Sequence, residues 1–460
     1  MFNDDDTITA IGTPKGLGAL GIVRVSGPKT SDIFSKCLKT KSDRPLKESH
    51  RAHFGVWIDP ISKEELDEVV AVYFSKGRGY TGEDALDIMC HGGPQVIESV
   101  LAATVAAGAR LAGPGEFSYR AFINNRIDLI QAENVLQLIH SSSPKAANRA
   151  LRQLRGALSG RVQKIETDII YILANLEASI DFTTEDIQPV DFFRMKGLVD
   201  TAILEIQELL KGFSASQTVN QGFRIAIVGK PNAGKSSLLN VLLGRRRSIV
   251  SPKPGTTRDT IEADILIDGY LLRFVDTAGL RTTDEDSERQ GVELTFEEIE
   301  TADHILYVVD SKSGLQNEDV DQILKFGPSA VTVCFNKSDL VDIEIETYLN
   351  KFGLQKYVGL KCSAVTDGGR ESLMLFISKS IVKNSPSGQE FDVSTVRQNE
   401  LLAKALESLV RASEALAVNL SPEFISLELR ESHRRISELL GKDVSDEVMD
   451  RVFKEFCIGK

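Results

Sequence analysis

Cysteine is scarce and scattered. The 460 residues hold five, at Cys37, Cys90, Cys334, Cys362 and Cys457, with no C-x-x-C pair. Isolated thiols in odd number argue against a disulfide framework or a cysteine zinc site, and for a reducing compartment. Long apolar runs are lacking too: none reaches the ~18 residues that a membrane span needs. The opening MFNDDDTITA is acidic, unlike a secretory or transit peptide, so the expected location is the cytoplasm, with no membrane contact. Positive charge is in deficit, with 54 Lys and Arg against 66 Asp and Glu and a net charge of −12. The chain as a whole should repel nucleic acid, and any RNA contact must rest on a local basic patch.

What remains is ordinary globular material, 42% hydrophobic and 26% charged, long enough for about three domains. Residues 1–118 carry short β-branched strands, GIVRVSG (21–27), HFGVWI (53–58) and VVAVYFS (69–75), between Gly/Pro turns, then a helix near 95–107 and a strand at Ala109–Ala112. Residues 119–218 turn helical. Ser143-Pro144 reads as an N-cap with proline at the first helical position, and Leu151, Leu154, Leu158, Val162, Ile165, Ile169 and Leu176 follow at helical spacing. Residues 219–383 alternate strands with helices, the mark of a parallel α/β sheet. After KNSPSGQE (383–390), helical periodicity resumes over 384–460. The expectation is a multidomain α/β plus all-α chain, in which two helical segments pair and an α/β domain is inserted between them.

The inserted domain carries the chemistry. FRIAIV runs into GKPNAGKSS (229–237) and then the apolar helix LLNVLLG. This is the G-x-x-x-x-G-K-[ST] phosphate loop, flanked by the strand and helix it requires. Gly229 and Gly234 let backbone N–H groups turn toward phosphate oxygens, across Asn232 and Ala233. Lys235 reaches the β and γ phosphates, and Ser236, followed by Ser237, can ligate Mg²⁺. DTAG (276–279) follows the strand LLRFVD, so Asp276 can hold Mg²⁺ through water and Gly279, after Thr277 and Ala278, can meet the γ-phosphate. NKSD (336–339) follows VTVCF. Within it Asn336 and Lys337 frame the base, and Asp339 can accept both donors of guanine's Watson–Crick edge, which adenine lacks. CSA (362–364) adds Ser363 and Ala364 at the guanine oxygen. Between the first two motifs, SPKPGTTRD (251–259) puts Thr256 and Thr257 in a Gly-containing loop before a hairpin that turns at Asp268-Gly269. Four motifs in order on the right elements describe a Ras-like P-loop G domain that hydrolyses GTP.

One position departs from the common pattern. Where many GTPases place glutamine after DTAG to orient water, this chain has Leu280. Catalysis must come from another residue, a second cation or a partner subunit. Glu288, in DEDSERQGVE (284–293), is a candidate, and so is a purely solvated role for that charge.

The phrases GIVRVSGP, YTGEDALDIMCHGGP, GPGEFSYRAFINNRIDLIQAENV, GKPNAGKSSLLN, PGTTRD, DTAGLR, NKSD and the terminal FCIGK together resemble the MnmE (TrmE) family of bacterial tRNA-modification GTPases. The likeness spans essentially the whole chain, and its N-terminal phrases are not general GTPase features. It implies a homodimer built through an N-terminal domain similar to folate-binding domains, and G domains that meet when GTP is bound. It implies K⁺ in the part of an arginine finger, held by Asn232, Ser251, Lys253 and Thr256, with Ser251 and Lys253 acting through carbonyls. Ser251 thereby joins the GTP site, Ser236 and Thr257 would take Mg²⁺, and Glu288 would orient the attacking water beside the catalytic Lys235. A 5-formyl- or 5,10-methylene-tetrahydrofolate would meet Arg24, Glu83, Arg126 and Lys460. The family commonly has lysine at the position of Arg126, which keeps the charge but not the geometry. The resemblance further implies a heterotetramer with the flavoprotein MnmG. That assembly installs (carboxymethyl)aminomethyl at C5 of the wobble uridine of tRNA, with GTP hydrolysis as a conformational drive.

Two features stay open on sequence alone. Residues 141–165 hold Lys145, Arg149, Arg152, Arg155, Arg161 and Lys164 and no acidic residue. This stripe fits a phosphate backbone, a solvated face or an acidic partner subunit equally well, and Arg245-Arg246-Arg247 is a second, weaker candidate. The tail FKEFCIGK places Cys457 as in a prenylation box, but Gly459 and Lys460 do not suit one. A helix from an N-cap at Ser445 instead delivers Lys460 to a fixed place. Against the tRNA-modifying enzyme stands a regulatory GTPase that binds a ribosomal or membrane target, which would not need Arg24, Glu83, Arg126 or the terminal lysine.

Overall fold

The computed structural model describes residues 6–40, 48–181, 192–243, 262–276, 301–382 and 392–460. They form two compact units. The first comprises residues 1–139, 151–207 and 396–460, and the second residues 140–150 and 208–395.

The first unit opens with β1 (Ile8–Ile11), β2 (Leu20–Ser26), α1 (Thr30–Cys37), β3 (Leu38–Lys39), β4 (Arg51–Ile58), β5 (Glu65–Phe74), β6 (Ala85–His91), α2 (Pro94–Ala106) and β7 (Arg110–Leu111). The strands make one sheet in the order β3-β4-β5-β6-β2-β1-β7, antiparallel except for the β1–β7 pair. Alternation of side chains sends Val23 and Val25 of β2 into a core closed by Ile33, Phe34 and Val100 of α1 and α2. It sends Ile22, Arg24 and Ser26 to the other face. There, register aligns Phe54, Val70, Met89 and Ile22 in one apolar row across β4, β5, β6 and β2, with Phe54 64% exposed.

Helices follow: α3 (Glu116–Ile123), α4 (Leu129–His140), α5 (Pro144–Leu154), which up to residue 150 belongs to the second unit, α6 (Ala157–Asp181) and α7 (Phe192–Lys211), which passes into the second unit at residue 208. Ser143 caps α5, its Oγ accepting from the Ala146 N–H at 3.2 Å. The leucine spacing that runs evenly from Leu151 to Leu176 does not give one helix. Gly156, at φ +90°, breaks it after Arg155, and the buried Gln153 side chain caps the new start by accepting from the Leu158 N–H.

The second unit contains α8 (Phe213–Gln221), β8 (Phe223–Val228), α9 (Lys235–Leu243), β9 (Glu262–Ile267), β10 (Tyr270–Asp276), β11 (His304–Asp310), α10 (Asn317–Ile323), β12 (Val331–Asn336), α11 (Ile345–Lys351), β13 (Val358–Lys361) and α12 (Asp367–Phe376), prolonged by a π-helical turn at Ile377–Val382. Strand order is β13-β12-β11-β8-β10-β9, parallel throughout but for β9. Buried runs such as HILYVVD and VTVCFN suit a sheet covered on both faces. The β9–β10 turn has Asp268 at φ +52° and Gly269 at φ +83°, the double left-handed geometry that Asp-Gly favours.

The chain returns to the first unit with α13 (Val396–Ala417), α14 (Pro422–Leu440) and α15 (Asp446–Lys454). Of these helices α14 packs with α6 and with α13, and α15 packs with α3, so the two helical segments do pair. A buried Glu133 on α4 accepts from Arg397 at 2.7 Å and from Gln398 at 2.6 Å, tying the segments together.

Candidate functional site

In the second unit, β8 lies between β10 and β11, so the loop after it emerges at the carboxyl edge of a parallel sheet, where ligands bind in such folds. Close approach dictates glycine there. A Cβ at Gly229 would lie 2.2 Å from the Val308 carbonyl oxygen, and one at Gly234, whose φ is +92°, would lie 2.2 Å from Asn336 Nδ2. Asn232 sits between them at φ +63°, a strained backbone for a non-glycine residue. Lys235 is the first residue of α9 and donates to the carbonyls of Gly229 (2.7 Å) and Lys230 (2.9 Å), which holds its ammonium inside the curve of the loop. Ser236 and Ser237 stand exposed beside it on the first turn of the helix, where the helix dipole favours anions.

The NKSD motif (336–339) locks onto the same loop. Asn336 Nδ2 donates to the Ala233 carbonyl at 2.9 Å. Lys337 Nζ donates to the Asn232 carbonyl at 2.9 Å and to Asp310 Oδ2 at 2.6 Å. Burial works to raise the Asp310 pKa, but the Lys337 hydrogen bond, the Lys312 backbone N–H and the charges of both lysines together hold the carboxyl below the usual range. Ser363 Oγ donates to Asp339 Oδ1 at 2.6 Å while accepting from the Val365 N–H, so the carboxylate has one orientation. Ser338 ties the two segments through the Cys362 carbonyl at 2.9 Å. The structure therefore brings Asn232, Ala233, Gly234, Lys235, Asn336, Lys337, Asp339 and Ser363 into one hydrogen-bonded cluster. Asp276 ends β10, the strand paired with β8. Ser251, Lys253, Thr256, Thr257, Thr277, Ala278, Gly279, Leu280 and Glu288 lie outside the described residues, as do Arg245-Arg246-Arg247.

A second cluster belongs to the first unit. Phe453 of α15 and Phe456 are buried against Tyr119 and Phe122, and the Tyr119 and Phe453 rings meet edge to face at 5.5 Å. The tail then docks through an isolated β-bridge, Ile458 antiparallel to Pro114. Gly459, at φ +93°, passes so close to β1 that a Cβ would lie 2.3 Å from the Ile11 carbonyl oxygen. This places Lys460 near Arg24, whose Nη1 donates to the Gly459 carbonyl at 3.5 Å and whose Nε lies 3.3 Å from Asp87 Oδ1. Burial and then the Arg24 charge lower the Lys460 pKa, with Asp87 opposing. Burial raises that of Asp87, with Arg24 and Lys460 opposing. On the same sheet face, Ser26 Oγ donates to Glu83 Oε2 at 2.6 Å. Arg126 lies along Gly82, where a Cβ would be 3.1 Å from its Cγ, and donates to the Gly77 carbonyl. Arg24 and Lys460 thus share one charge cluster, Glu83 is linked to their face through Ser26, and Arg126 flanks the Glu83 loop.

Family models match both parts of the chain: "GTP-binding protein TrmE N-terminus" over residues 7–126 and "MnmE helical domain" over residues 129–457. The chain is 40% identical to the tRNA modification GTPase MnmE of Bdellovibrio bacteriovorus, covering 99% of this chain and 98% of that one. It is 41% identical to that of Aquifex aeolicus (99% and 100%) and 40% identical to that of Syntrophotalea carbinolica (100% and 100%). The chain belongs to the MnmE family.

Three residues of these sites escaped a reading by motif. Asp310 braces Lys337, and its only signal is a carboxylate ending a buried strand, as Asp276 does. Asp87 faces Arg24 across the β2–β6 register, which no single strand reveals. Tyr80, whose hydroxyl pairs with Ser118 at 2.8 Å, has its pKa raised by burial, with Ser118 and Arg24 opposing. Outside the phrases that mark the MnmE family, the basic stripe is divided. Lys145 lies 3.6 Å over the Tyr270 ring and Arg149 is buried, donating to Ser216 at 2.6 Å. Arg161 and Lys164 both face Glu205, and Arg155 is exposed. Among the described residues no helix is long and apolar enough to cross a membrane.

Proposed function

We propose that this chain is a cytoplasmic GTP hydrolase of tRNA wobble-uridine modification. In this reading it works as a homodimer with the flavoprotein MnmG and draws a one-carbon unit from a tetrahydrofolate. Residues 1–118 bind folate and dimerise, 219–383 hydrolyse GTP, and 119–218 with 384–460 form the helical domain. The convergence of the phosphate loop with Asn336, Lys337 and Asp339 carries the hydrolase reading. Asp339 accepts from the guanine edge, Lys337 braces the loop through the Asn232 carbonyl, and Lys235 swings its ammonium from loop carbonyls to phosphate oxygens. Ser236, an exposed hydroxyl on the first turn of α9, suits the oxygen set of Mg²⁺ and would hold it with Thr257. Asn232 would hold K⁺ with Ser251, Lys253 and Thr256, and Glu288 would orient the water. The two cations supply positive charge at the phosphate oxygens.

The folate reading draws support from Arg24, Lys460 and Asp87 on one sheet face. Two cations suit the carboxylates of such a ligand, and the acid groups suit its N–H edge. The apolar row of Phe54, Val70, Met89 and Ile22 supports dimerisation, since exposed apolar patches mark association surfaces. GTP turnover is expected to be at least tenfold faster in KCl than in NaCl at equal ionic strength, by phosphate-release assay, and equal rates would remove the K⁺ step. For tRNA, Arg155→Ala should flatten the log K against log salt slope by about one, and Lys145→Ala should not, because that ammonium already lies on Tyr270. Equal effects of the two substitutions would contradict the assignment.

A further inference from the structure

Arg120 of α3 has a fully buried side chain. Its Nη1 donates to the Asp6 carbonyl at 2.8 Å and lies 3.2 Å from both oxygens of Glu83. Its Nη2 donates to Asp6 Oδ1 at 2.7 Å and to Glu116 Oε1 at 3.2 Å. Arg110 completes the cluster, donating to Glu116 at 2.6 Å and 2.9 Å and to Asp6 at 2.6 Å and 3.1 Å. Among the described residues, two guanidiniums therefore meet three carboxylates, Asp6, Glu83 and Glu116. Asp6 and Glu116 are each shared by both arginines. Glu83 is held by Arg120 and by Ser26 Oγ alone among the described residues, and its side chain keeps 16% exposure.

A buried cation that only stabilised the fold would be satisfied by the saturated pair. Among the described residues the third carboxylate leaves one negative charge in surplus, on Glu83, which Ser26 links to the sheet face that carries Arg24. The geometry points to Arg120 as a positioning residue for Glu83: from the buried side it fixes the carboxylate so that its remaining lone pairs face the ligand cleft. A planar heterocycle presenting adjacent N–H donors, such as a reduced pterin, is the matching chemistry. This inference rests on the reading that Glu83 belongs to the folate site.

The test is a double-mutant cycle read by titration with 5-formyltetrahydrofolate on the full chain. The variants are Arg120→Lys, Glu83→Gln and the pair together. Lysine keeps a positive charge among the carboxylates but lacks the planar fork, so the fold is retained, as thermal melts would verify. If Arg120→Lys still fails to fold, Arg120→Met combined with Glu83→Gln removes the charges of both partners and is compared with Glu83→Gln alone. Each single substitution is expected to weaken binding at least tenfold, and the arginine change is expected to cost less than twofold more once Glu83 is glutamine. A purely structural arginine would give additive losses. Additive losses with a weakened Glu83→Gln overturn the positioning role and leave the folate reading intact. Normal binding by Glu83→Gln overturns the role of Glu83 in that reading, and this inference with it.

Discussion

Replacing Asp339 with asparagine should cost the protein about three orders of magnitude in GTP affinity. Guanine offers two N–H donors on its edge, and a carboxylate answers both. Asparagine answers one and sets an NH₂ group against the other. A lost charged hydrogen bond is worth about 1.5–3 kcal/mol, and the donor left unpaired adds about 1–3 kcal/mol. Sites built around such pairs discriminate by about 10⁴ or more. The effect should be undiluted because Ser363 fixes Oδ1 at 2.6 Å, so the side chain cannot turn away. Xanthosine triphosphate, with a carbonyl where guanine has its amino group, should bind the variant better than GTP does. Displacement of a fluorescent guanine nucleotide measures both. A variant that keeps GTP affinity within tenfold would show that Asp339 does not read the base.

The second large effect is expected at the other end of the chain. Gly459→Ala adds one methyl group, yet should abolish tail docking. Its backbone is left-handed, which costs about 1–2 kcal/mol for a residue with a Cβ, and the new atom would lie 2.3 Å from the Ile11 carbonyl oxygen. That oxygen belongs to the backbone of β1, which pairs with Val23 of β2 at this residue, and cannot yield as a flexible side chain would. Binding of 5-formyltetrahydrofolate should therefore fall at least tenfold, to the level of a chain ending at Phe456. Lys460→Ala should fall less, since it removes a charge and leaves the Ile458 bridge seated. Phe453 and Phe456 remain buried in all three chains, so melting temperatures should move little. Unchanged folate affinity on truncation would detach the tail from the folate site.

Legibility followed locality. The phosphate loop is contiguous, and each of its constraints (tight turn, close approach, helix start) falls on a residue within it. Lys235 and Gly234 could therefore be named before any fold was known. The Asp268-Gly269 turn was legible for the same reason. Periodicity was less reliable, because leucines continue evenly through Arg155-Gly156 while the backbone does not. The basic stripe was ambiguous because charge spacing says nothing of acceptors. Tyr270, Ser216 and Glu205 are distant in sequence from the cations they engage, and only folding brings them together.

By itself the sequence determined the family, the G-domain motifs and their order, the pairing of two helical segments across an insertion, and a last helix followed by a Gly-Lys tail. These are properties of local chemistry, of backbone freedom at glycine and of hydrophobic period. Tertiary structure alone decided that Asp310 braces Lys337, that Asp87 pairs with Arg24 beside Lys460, and that Glu83 is held by a buried Arg120. Each is a meeting of charges far apart along the chain. Burial makes an unpaired charge too costly to leave, and register and packing choose its partner.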